Sequence, residues 1–142
     1  MRKQQKQPVF GGLVPPDEAW LARAQPEPAL DAALPIVDAH MHLWHRDNGH
    51  RYFVDDYAQD VIASGHHVEA TVFVECHAMY RADGPEHLRC VGETAFAAGM
   101  AAIADSGIYT ATRVAAAIVG YADLRRGERV RETLEAHVAA GN

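Results

Sequence analysis

Three polar side chains alternate along one apolar stretch of the chain, around residue 40. Asp38, His40 and His42 occupy every second position within residues 36–44, and Pro35 precedes them. Proline cannot continue a helix, and a strand repeats every two residues, so the pattern predicts three side chains on one strand face. Two neutral imidazoles on one face can bind a single divalent cation such as zinc. The spacing alone is equally compatible with two hydrogen-bonded histidines that hold no ion.

Length, composition and charge limit the classes of protein that the sequence can encode. With 142 residues, 49% of them hydrophobic, the chain suits one compact domain and is too short for two ordinary ones. The net charge of −6 argues against nucleic acid, whose phosphates need a basic surface. There is no apolar run of transmembrane length and no signal-peptide pattern, and two cysteines make no disulfide framework. We expect a cytoplasmic protein that binds neither nucleic acid nor membranes.

Periodicity predicts three strands that alternate with three helices. The strands are expected near residues 36–42, 70–77 and 113–121, and a helix follows each of them. The apolar stripes expected to face the sheet are Tyr57, Val61 and Ile62 in the first helix, Phe96, Met100 and Ile103 in the second, and Val130, Leu134 and Val138 in the third.

Residues 1–34 are rich in proline and glutamine and are expected to form an irregular N-terminal arm. Their start carries both lysines of the chain, Lys3 and Lys6, which indicates a solvated basic tail. Further along, Asp17 is expected to begin a short helix, and Trp20 to anchor the arm by burying its ring.

The Asp-x-His-x-His-Leu-Trp run that follows Leu-Pro-Ile-Val resembles the first-strand signature of the amidohydrolase superfamily. The resemblance is to the amidohydrolase-related branch, which contains lactonases and non-oxidative decarboxylases. It extends through residues 71–77, 92–94 and 120–124. The fold that it implies is a (β/α)₈ TIM barrel.

A complete barrel takes about 250 residues, and each strand-and-helix unit takes about 30. The 142 residues of this chain therefore hold about three units. We expect a fragment: the N-terminal portion of a barrel over residues 35–142, with parallel strands, after the arm at residues 1–34.

The resemblance implies that His40 and His42 bind a divalent metal, zinc above all, together with histidines from later strands. The general base that it implies is an aspartate of the last strand, beyond residue 142. Such a metal acidifies a bound water, which then attacks a lactone or another cyclic ester or amide. In some relatives that open carboxylated lactones the histidines hold no metal tightly, so the complete protein can also work without one.

Three readings of the function stay open. The first is the truncated hydrolase, with decarboxylation as another reaction of the same family. The second is a non-catalytic remnant that pairs its exposed strand edges with a second copy or with the remainder of the barrel, because free edges invite pairing. The third is a complete small α/β binding domain in which the two histidines are a coincidence.

The second predicted strand carries further candidates. Its alternation sets Thr71, Phe73, Glu75 and His77 on one face and Val72, Val74 and Cys76 on the other. A carboxylate pressed against the apolar helix layer would be costly, so we expect Glu75 and His77 to face the barrel interior, at the end where substrate binds. Glu75 would contact substrate, orient a ligand histidine or pair with a neighbouring arginine. Cys76 would then face the helices as a small hydrophobe.

The remaining candidates flank the strand ends. Arg81 is the residue expected to grip a substrate carboxylate, because guanidinium binds carboxylates with two prongs. Tyr121 is expected to line the site, and Asp38 to support a ligand from behind. The expected partner is a small-molecule substrate, with carboxylated compounds among the candidates.

Two groups of polar residues lie at opposite rims of the predicted barrel. The loop after the first strand, where substrate would be met, carries His45, Arg46, His50 and Arg51. A hydrated loop with incidental charges is the favoured interpretation for each residue taken alone. His66 and His67 follow the first helix, which puts them at the rim away from the metal, where a structural or exposed role is expected.

Overall fold

The structure, a computed structural model, describes residues 17–25, 27–46 and 49–142. The predicted basic tail with Lys3 and Lys6 lies outside these residues. The elements in chain order are α1 (Glu18–Leu21), β1 (Pro35–Met41), β2 (Trp44–His45), β3 (Arg51–Tyr52), α2 (Val54–Ser64), β4 (His67–Val74), α3 (Val91–Ala104), β5 (Arg113–Val119) and α4 (Arg131–Gly141), with 3₁₀ turns at Glu86–Leu88 and Leu124–Val130.

Three strands form a parallel sheet in the order β1-β4-β5, so neighbours in space are also successive main strands of the chain. A helix lies in each connection and α4 follows the last strand. This confirms the prediction of parallel strands joined by helices. The bounds differ: the second strand begins at His67 and ends at Val74, where residues 70–77 were predicted, and the third ends at Val119. Glu75, His77 and Tyr121 therefore lie in loops.

The helices cover one face of the sheet, and the core lies between them. Phe73 of β4 is fully buried in one cluster with Tyr57 of α2 and Ala97 of α3. The predicted facing of this strand is therefore wrong, because Thr71 and Phe73 turn toward the helices and Val72 and Val74 are half-buried on the other side. The carboxylate that set the predicted facing lies past Val74, where strand alternation has ended.

An irregularity in β5 is stabilised by its neighbour β4. Ala115 has a left-handed backbone with φ of 51°, at a shift in register between the two strands. Its N–H donates to Oγ1 of the fully buried Thr71 at 2.8 Å. A threonine side chain thus replaces a missing ladder bond, since a buried N–H without a partner is costly.

The predicted buried stripe of the third helix is wrong. Leu134 and Val138 of α4 are exposed, and with the half-buried Val130 they line a groove at the surface. The face that packs on α3 carries Thr133, whose hydroxyl donates to the carbonyl of His87 at 3.2 Å, and His137. Hydrogen bonds rather than apolar side chains therefore decide how α4 is rotated.

Other predicted packing is confirmed only in part. Asp17 does cap α1, since its Oδ1 accepts the Trp20 N–H at 3.0 Å, but the Trp20 ring is exposed because the four-residue helix buries nothing. In the first two helices Tyr57, Val61, Phe96 and Met100 pack on the core as predicted, whereas Ile62 and Ile103 are exposed.

Candidate functional site

The predicted site residues gather where the strands of the sheet end. Parallel strands present their carboxyl ends at one edge, which is where α/β proteins build their sites. His40 lies near the end of β1 and His42 just after it. Glu75 and His77 follow β4, and Tyr121 follows β5.

The two histidines face the same side. Their ring centroids are 4.9 Å apart and the rings meet edge to face at 85°. Nδ1 of His42 lies 2.8 Å from the carbonyl oxygen of Val74. A carbonyl only accepts, so this bond requires the proton on Nδ1 and leaves the lone pair on Nε2.

These two residues fit part of a metal centre. Histidine ligands usually donate their second ring N–H to a carbonyl or carboxylate, as His42 does. A catalytic zinc ion needs three protein ligands. Among the residues that the structure describes, no three histidine, cysteine or acidic side chains come together as a metal-binding group. His40 and His42 therefore fit two of the three ligand positions of such a zinc ion, and the described residues do not supply the third.

Asp38 supports this segment through its backbone. Its Oδ1 accepts the N–H of His40 at 3.1 Å, which is a bond to the main chain and not to an imidazole. Burial, and secondly the negative charge of Asp38, raises the pKa of Tyr57 in α2 to about 12. Any effect of Asp38 on the histidine rings therefore passes through the backbone at His40.

The loop after β4 is held from two sides. The buried carboxylate of Glu93 in α3, only 2% exposed, accepts the N–H groups of Cys76 and Ala78 through Oε1, each at 2.9 Å. From the other side the guanidinium of Arg46 donates to the carbonyl oxygens of Cys76 at 2.8 Å and His77 at 3.3 Å. We call these residues, Arg46 and Glu93, the clamp.

The clamp holds a strained backbone. His77 has a φ of 58° and Met79 a φ of 56°, both in the left-handed region. For residues with a Cβ this conformation costs about 1–2 kcal/mol each. Such strain persists only where the surroundings over-determine the backbone, and it is common at functional sites. The loop is therefore fixed in a conformation that its own residues disfavour.

The strained backbone brings the His77 ring against three partners. Its Nε2 lies 3.6 Å from Oε2 of Glu75, and its Nδ1 lies 3.1 Å from the hydroxyl of Tyr80. Its ring centroid is 5.6 Å from that of Tyr121. The structure thus brings together three residues predicted for substrate contact, Glu75, His77 and Tyr121, and adds Tyr80, which sequence reasoning missed.

Burial affects two polar groups in this cluster, the carboxylate of Glu75 and the phenol of Tyr80. Oε2 of Glu75 is buried and accepts no hydrogen bond within the described residues. Burial first, and then the negative charges of Glu93 and Glu75, raise the pKa of Tyr80. The Tyr80 phenol therefore stays protonated and can donate a hydrogen bond.

Arg81 does not join this cluster. Its side chain is exposed, and its backbone N–H donates to the carbonyl of Arg89 at 2.9 Å. Nor does it line the cleft between Tyr80 and Tyr121. The position of Arg81 therefore does not support the prediction that it binds a substrate carboxylate.

The loop after β1 differs from the open substrate loop that was predicted. It contains the antiparallel pair β2-β3, and Arg46 bonds backbone carbonyls. Arg51 pairs with Asp55 at 2.7 Å, and the ring of His45 packs edge-on against Phe53. The arginines of this loop therefore have structural partners.

His66 and His67 lie at the other end of the sheet from the candidate site, as predicted, and both are exposed. His67 is the first residue of β4 rather than part of a loop, and it is paired in register with Pro35. This pair offers a natural control for tests of His40 and His42.

The surroundings of Cys76 disfavour the thiolate, which is the reactive form of a cysteine. Burial first, and then the negative charge of Glu93, raises the pKa of its thiol to about 12. A thiol with such a pKa is almost entirely protonated at neutral pH, and the thiolate is the reactive form. This agrees with the prediction of a small hydrophobe.

His137 of α4 fixes the loop that carries Tyr121. Its Nε2 donates to the carbonyl oxygen of Tyr121 at 2.8 Å, so its Nδ1 accepts from the hydroxyl of Thr94, also at 2.8 Å. A Cβ at Gly120 would meet this ring at 3.0 Å, so glycine permits the close approach. The polar pair Thr133 and His137, four residues apart, was the sequence signal for this contact.

Comparison of the chain with family models, with curated proteins and with solved structures finds no match. In the part of the chain that the structure describes, no helix has the length and apolar character needed to cross a bilayer.

Proposed function

We propose that this chain carries part of the active site of a metal-dependent hydrolase of the amidohydrolase-related kind, acting on a lactone or another cyclic ester or amide. The observation that carries the proposal is the paired imidazoles of His40 and His42 at the carboxyl edge of the sheet. His42 has the hydrogen bond to Val74 that is typical of a metal-ligating histidine. The resemblance of residues 38–44 to the first-strand signature supports the same assignment.

The proposed fold is the N-terminal portion of a (β/α)₈ barrel. Its support is the order of the sheet, with successive main strands side by side and with α2 and α3 packed on the same buried face. The opposite face exposes Val37 by 60% and Val119 by 50%. In a barrel that face is the packed interior, so the proposed partner of this surface is the rest of a barrel, from the same or another polypeptide.

The chain's own residues divide the work as follows. His40 and His42 would hold two positions of a divalent metal, which would supply an acidified water and a polarised scissile carbonyl. Glu75, His77 and Tyr121 line the adjoining strand ends and contact the substrate. The clamp keeps His77 in place before any ligand arrives, which lowers the cost of ordering the site on binding. We assign no general base among the described residues.

Metal binding tests the proposal. Titration with Co²⁺, a spectroscopic stand-in for zinc, compares the wild type with the double variant His40→Ala, His42→Ala. The expected result is a loss of affinity of about tenfold or more, since both proposed ligands are removed. The matched control is His66→Ala, His67→Ala, which removes two exposed neighbouring imidazoles and should leave the titration unchanged. Equal loss in both double variants would contradict the metal assignment.

Hydrolysis is tested separately, on a panel of lactones with added Zn²⁺, in the full-length protein whose later strands would supply the remaining ligands and the base. The proposal expects activity that a chelator removes and that the His40→Ala, His42→Ala variant lacks. Activity that survives both treatments would refute the metal mechanism.

A further inference from the structure

Three side chains of the loop after β4 stand in a row: Tyr80, His77 and Glu75. The Tyr80 hydroxyl lies 3.1 Å from Nδ1 of His77, and Nε2 of the same ring lies 3.6 Å from Oε2 of Glu75. An imidazole between a hydroxyl and a carboxylate can exchange a proton with the hydroxyl while the carboxylate stabilises the charged ring. The row therefore has the composition of a proton relay.

The Tyr80 end of the row opens onto a space of ligand size. Tyr80 and Tyr121 line a cleft of about 660 Å³ beside the candidate site. Sites for small molecules typically measure about 300–1,000 Å³. At the other end, Oε2 of Glu75 is buried and accepts no hydrogen bond within the described residues. A hydroxyl in the cleft and a buried carboxylate behind it give the row a direction, from Glu75 outward to a ligand.

The charges around His77 suit a proton on its ring. Among the described residues, the carboxylate of Glu75 pairs with the ring itself. The guanidinium of Arg46 donates to the carbonyl oxygen of His77 at 3.3 Å. The buried carboxylate of Glu93 accepts the N–H of the next residue, Ala78, at 2.9 Å. Two carboxylates against one guanidinium leave a net negative charge, which stabilises an imidazolium while a proton is in transit.

The hydrogen bond between Tyr80 and His77 can run in either direction. On a neutral ring, Nε2–H points to Glu75 and the lone pair of Nδ1 accepts from the Tyr80 hydroxyl. On a charged ring, Nδ1–H donates to the Tyr80 oxygen, which releases the phenol proton for an acceptor in the cleft. Burial, and then the charges of Glu93 and Glu75, raise the pKa of Tyr80, so the phenol keeps its proton until a strongly basic oxygen meets it.

The backbone holds this geometry before any ligand arrives. The clamp bonds the carbonyl of His77 on one side and the N–H of Ala78 on the other, around a left-handed φ of 58° at His77. The His77 side chain is itself exposed. It can therefore regain a proton from water after each turnover without any movement of the loop.

We propose that Tyr80 protonates the leaving oxygen of the substrate and that His77, paired with Glu75, resupplies the proton. As the bond between the carbonyl carbon and the leaving oxygen breaks, its electron pair stays on that oxygen, which takes the phenol proton. The Tyr80 oxygen then takes the proton of Nδ1, and the neutral ring regains one from water. Tyr80 is the catalytic residue, and His77 and Glu75 are positioning residues. The proposal rests on the proposed hydrolase function, whereas the arrangement of protons in the row can be measured without it.

The basicity of the leaving oxygen tests the role of Tyr80. Opening of δ-valerolactone releases a strongly basic alkoxide, whereas opening of dihydrocoumarin releases a phenolate that needs a proton far less. In the full-length protein with Zn²⁺, Tyr80→Phe should lower kcat about 100-fold or more with δ-valerolactone and about tenfold or less with dihydrocoumarin. The matched control Tyr109→Phe changes an exposed tyrosine between α3 and β5, at the other end of the sheet, and should leave both rates unchanged.

Two further variants test the residues behind Tyr80. His77→Asn removes the relay but keeps a residue that tolerates the left-handed backbone, so it should show the same selective loss with δ-valerolactone. Glu75→Gln removes only the charge behind the ring, and a smaller selective loss of about tenfold is expected. A merely structural role would lower kcat with both lactones by the same factor.

A second measurement needs neither substrate nor metal. Long-range ¹H–¹⁵N NMR of the full chain in chelator, at about pH 8 where an ordinary imidazole is neutral, shows which nitrogen of His77 carries the proton. The relay predicts Nε2–H, with Nδ1 shifted by the hydrogen bond that it accepts. Tyr80→Phe should remove that shift, and Glu75→Gln should populate the Nδ1–H tautomer. The exposed His67, at the other end of the sheet, is the internal reference and should not change.

Two results would overturn the relay and leave the hydrolase intact: equal losses with both lactones in Tyr80→Phe, or an Nδ1–H tautomer of His77 in the wild type. Failure of the hydrolase looks different. A full-length protein that opens neither lactone and gives no Co²⁺ response would refute the hydrolase, and with it the acid role of Tyr80, whatever the tautomer of His77.

Discussion

The loops that follow β1 and β4 hold their histidines in different ways. After β1, His42 donates to the carbonyl of Val74 and the His40 N–H donates to Asp38, while the His40 side chain is exposed. After β4, four hydrogen bonds from the clamp fix three successive residues, and His77 lies in a left-handed backbone. The first arrangement leaves imidazole lone pairs for a ligand. The arrangement after β4 fixes the His77 ring in the position proposed for contact with substrate.

The largest expected effect comes from breaking the buried half of the clamp. Glu93→Ala should lower the free energy of unfolding by about 3 kcal/mol, because two buried N–H groups lose their acceptor at about 1–3 kcal/mol each. Urea denaturation measures the change. Glu69→Ala, an exposed acid in β4, should stay within about 0.5 kcal/mol of the wild type. If Glu93→Ala lowered the free energy of unfolding by less than about 0.5 kcal/mol, as expected of Glu69→Ala, the clamp would not order the loop.

Breaking the other half should cost less. Arg46→Ala is expected to lower the free energy of unfolding by about 2 kcal/mol, because its two carbonyl partners are partly reached by water and keep some solvation. Thermal or urea unfolding gives the value.

The control for this variant is Arg51→Ala, which removes the exposed ion pairs to Asp55 and Asp56 and should lower the free energy of unfolding less than Arg46→Ala does. If the two arginine variants were equally stable, the contact between Arg46 and the loop would add nothing beyond a surface pair.

A third change sharpens the comparison by relieving the strain. Replacing His77 by glycine or by alanine removes the same ring contacts, but only glycine adopts a φ near 58° without penalty. The glycine variant should therefore be more stable than the alanine variant by about 1 kcal/mol. The same pair of substitutions at His42, outside the left-handed region, should favour alanine. If the alanine variant were the more stable one at both positions, the backbone at His77 would be unstrained.

The smallest expected effect is a dependence on alkaline pH, because Cys76 is only half-buried and water screens much of the shift. The pKa of the Cys76 thiol is raised from 9.0 to about 12, so the folded chain holds this proton more tightly than the unfolded chain does. The stabilisation is complete below about pH 9 and is lost as the pH rises toward 12. Unfolding at about pH 8 and about pH 11 should show a smaller decline for Cys76→Ala than for the wild type. Identical declines would mean that burial does not perturb this thiol.

The sequence could predict the parts of the molecule that depend on local pattern. His40 and His42 were found because their spacing matches the strand repeat, and the parallel strands because apolar runs alternate with helical stripes. The clamp could not be found in this way. Cys76 is separated from Glu93 by 17 residues and from Arg46 by 30, and no local periodicity links them.

Two errors share one physical cause. The predicted facing of β4 relied on Glu75, because carboxylates avoid apolar surroundings. The predicted rotation of α4 relied on Leu134 and Val138, because apolar side chains prefer to be buried. In the structure, specific contacts decide: the strand ends at Val74 before the carboxylate, and the hydroxyl of Thr133 bonds across to His87. Such contacts depend on tertiary partners that a single sequence does not reveal.

The central claim is that His40 and His42 form an ion-binding pair in which His42 donates from Nδ1. Long-range ¹H–¹⁵N NMR of the imidazole nitrogens tests it directly, before and after addition of Zn²⁺. The account predicts an Nδ1–H tautomer for His42, and Zn²⁺ shifts on His40 and His42 that far exceed those on His66 and His67. An Nε2–H tautomer at His42, with equal small shifts on all four rings, would contradict it.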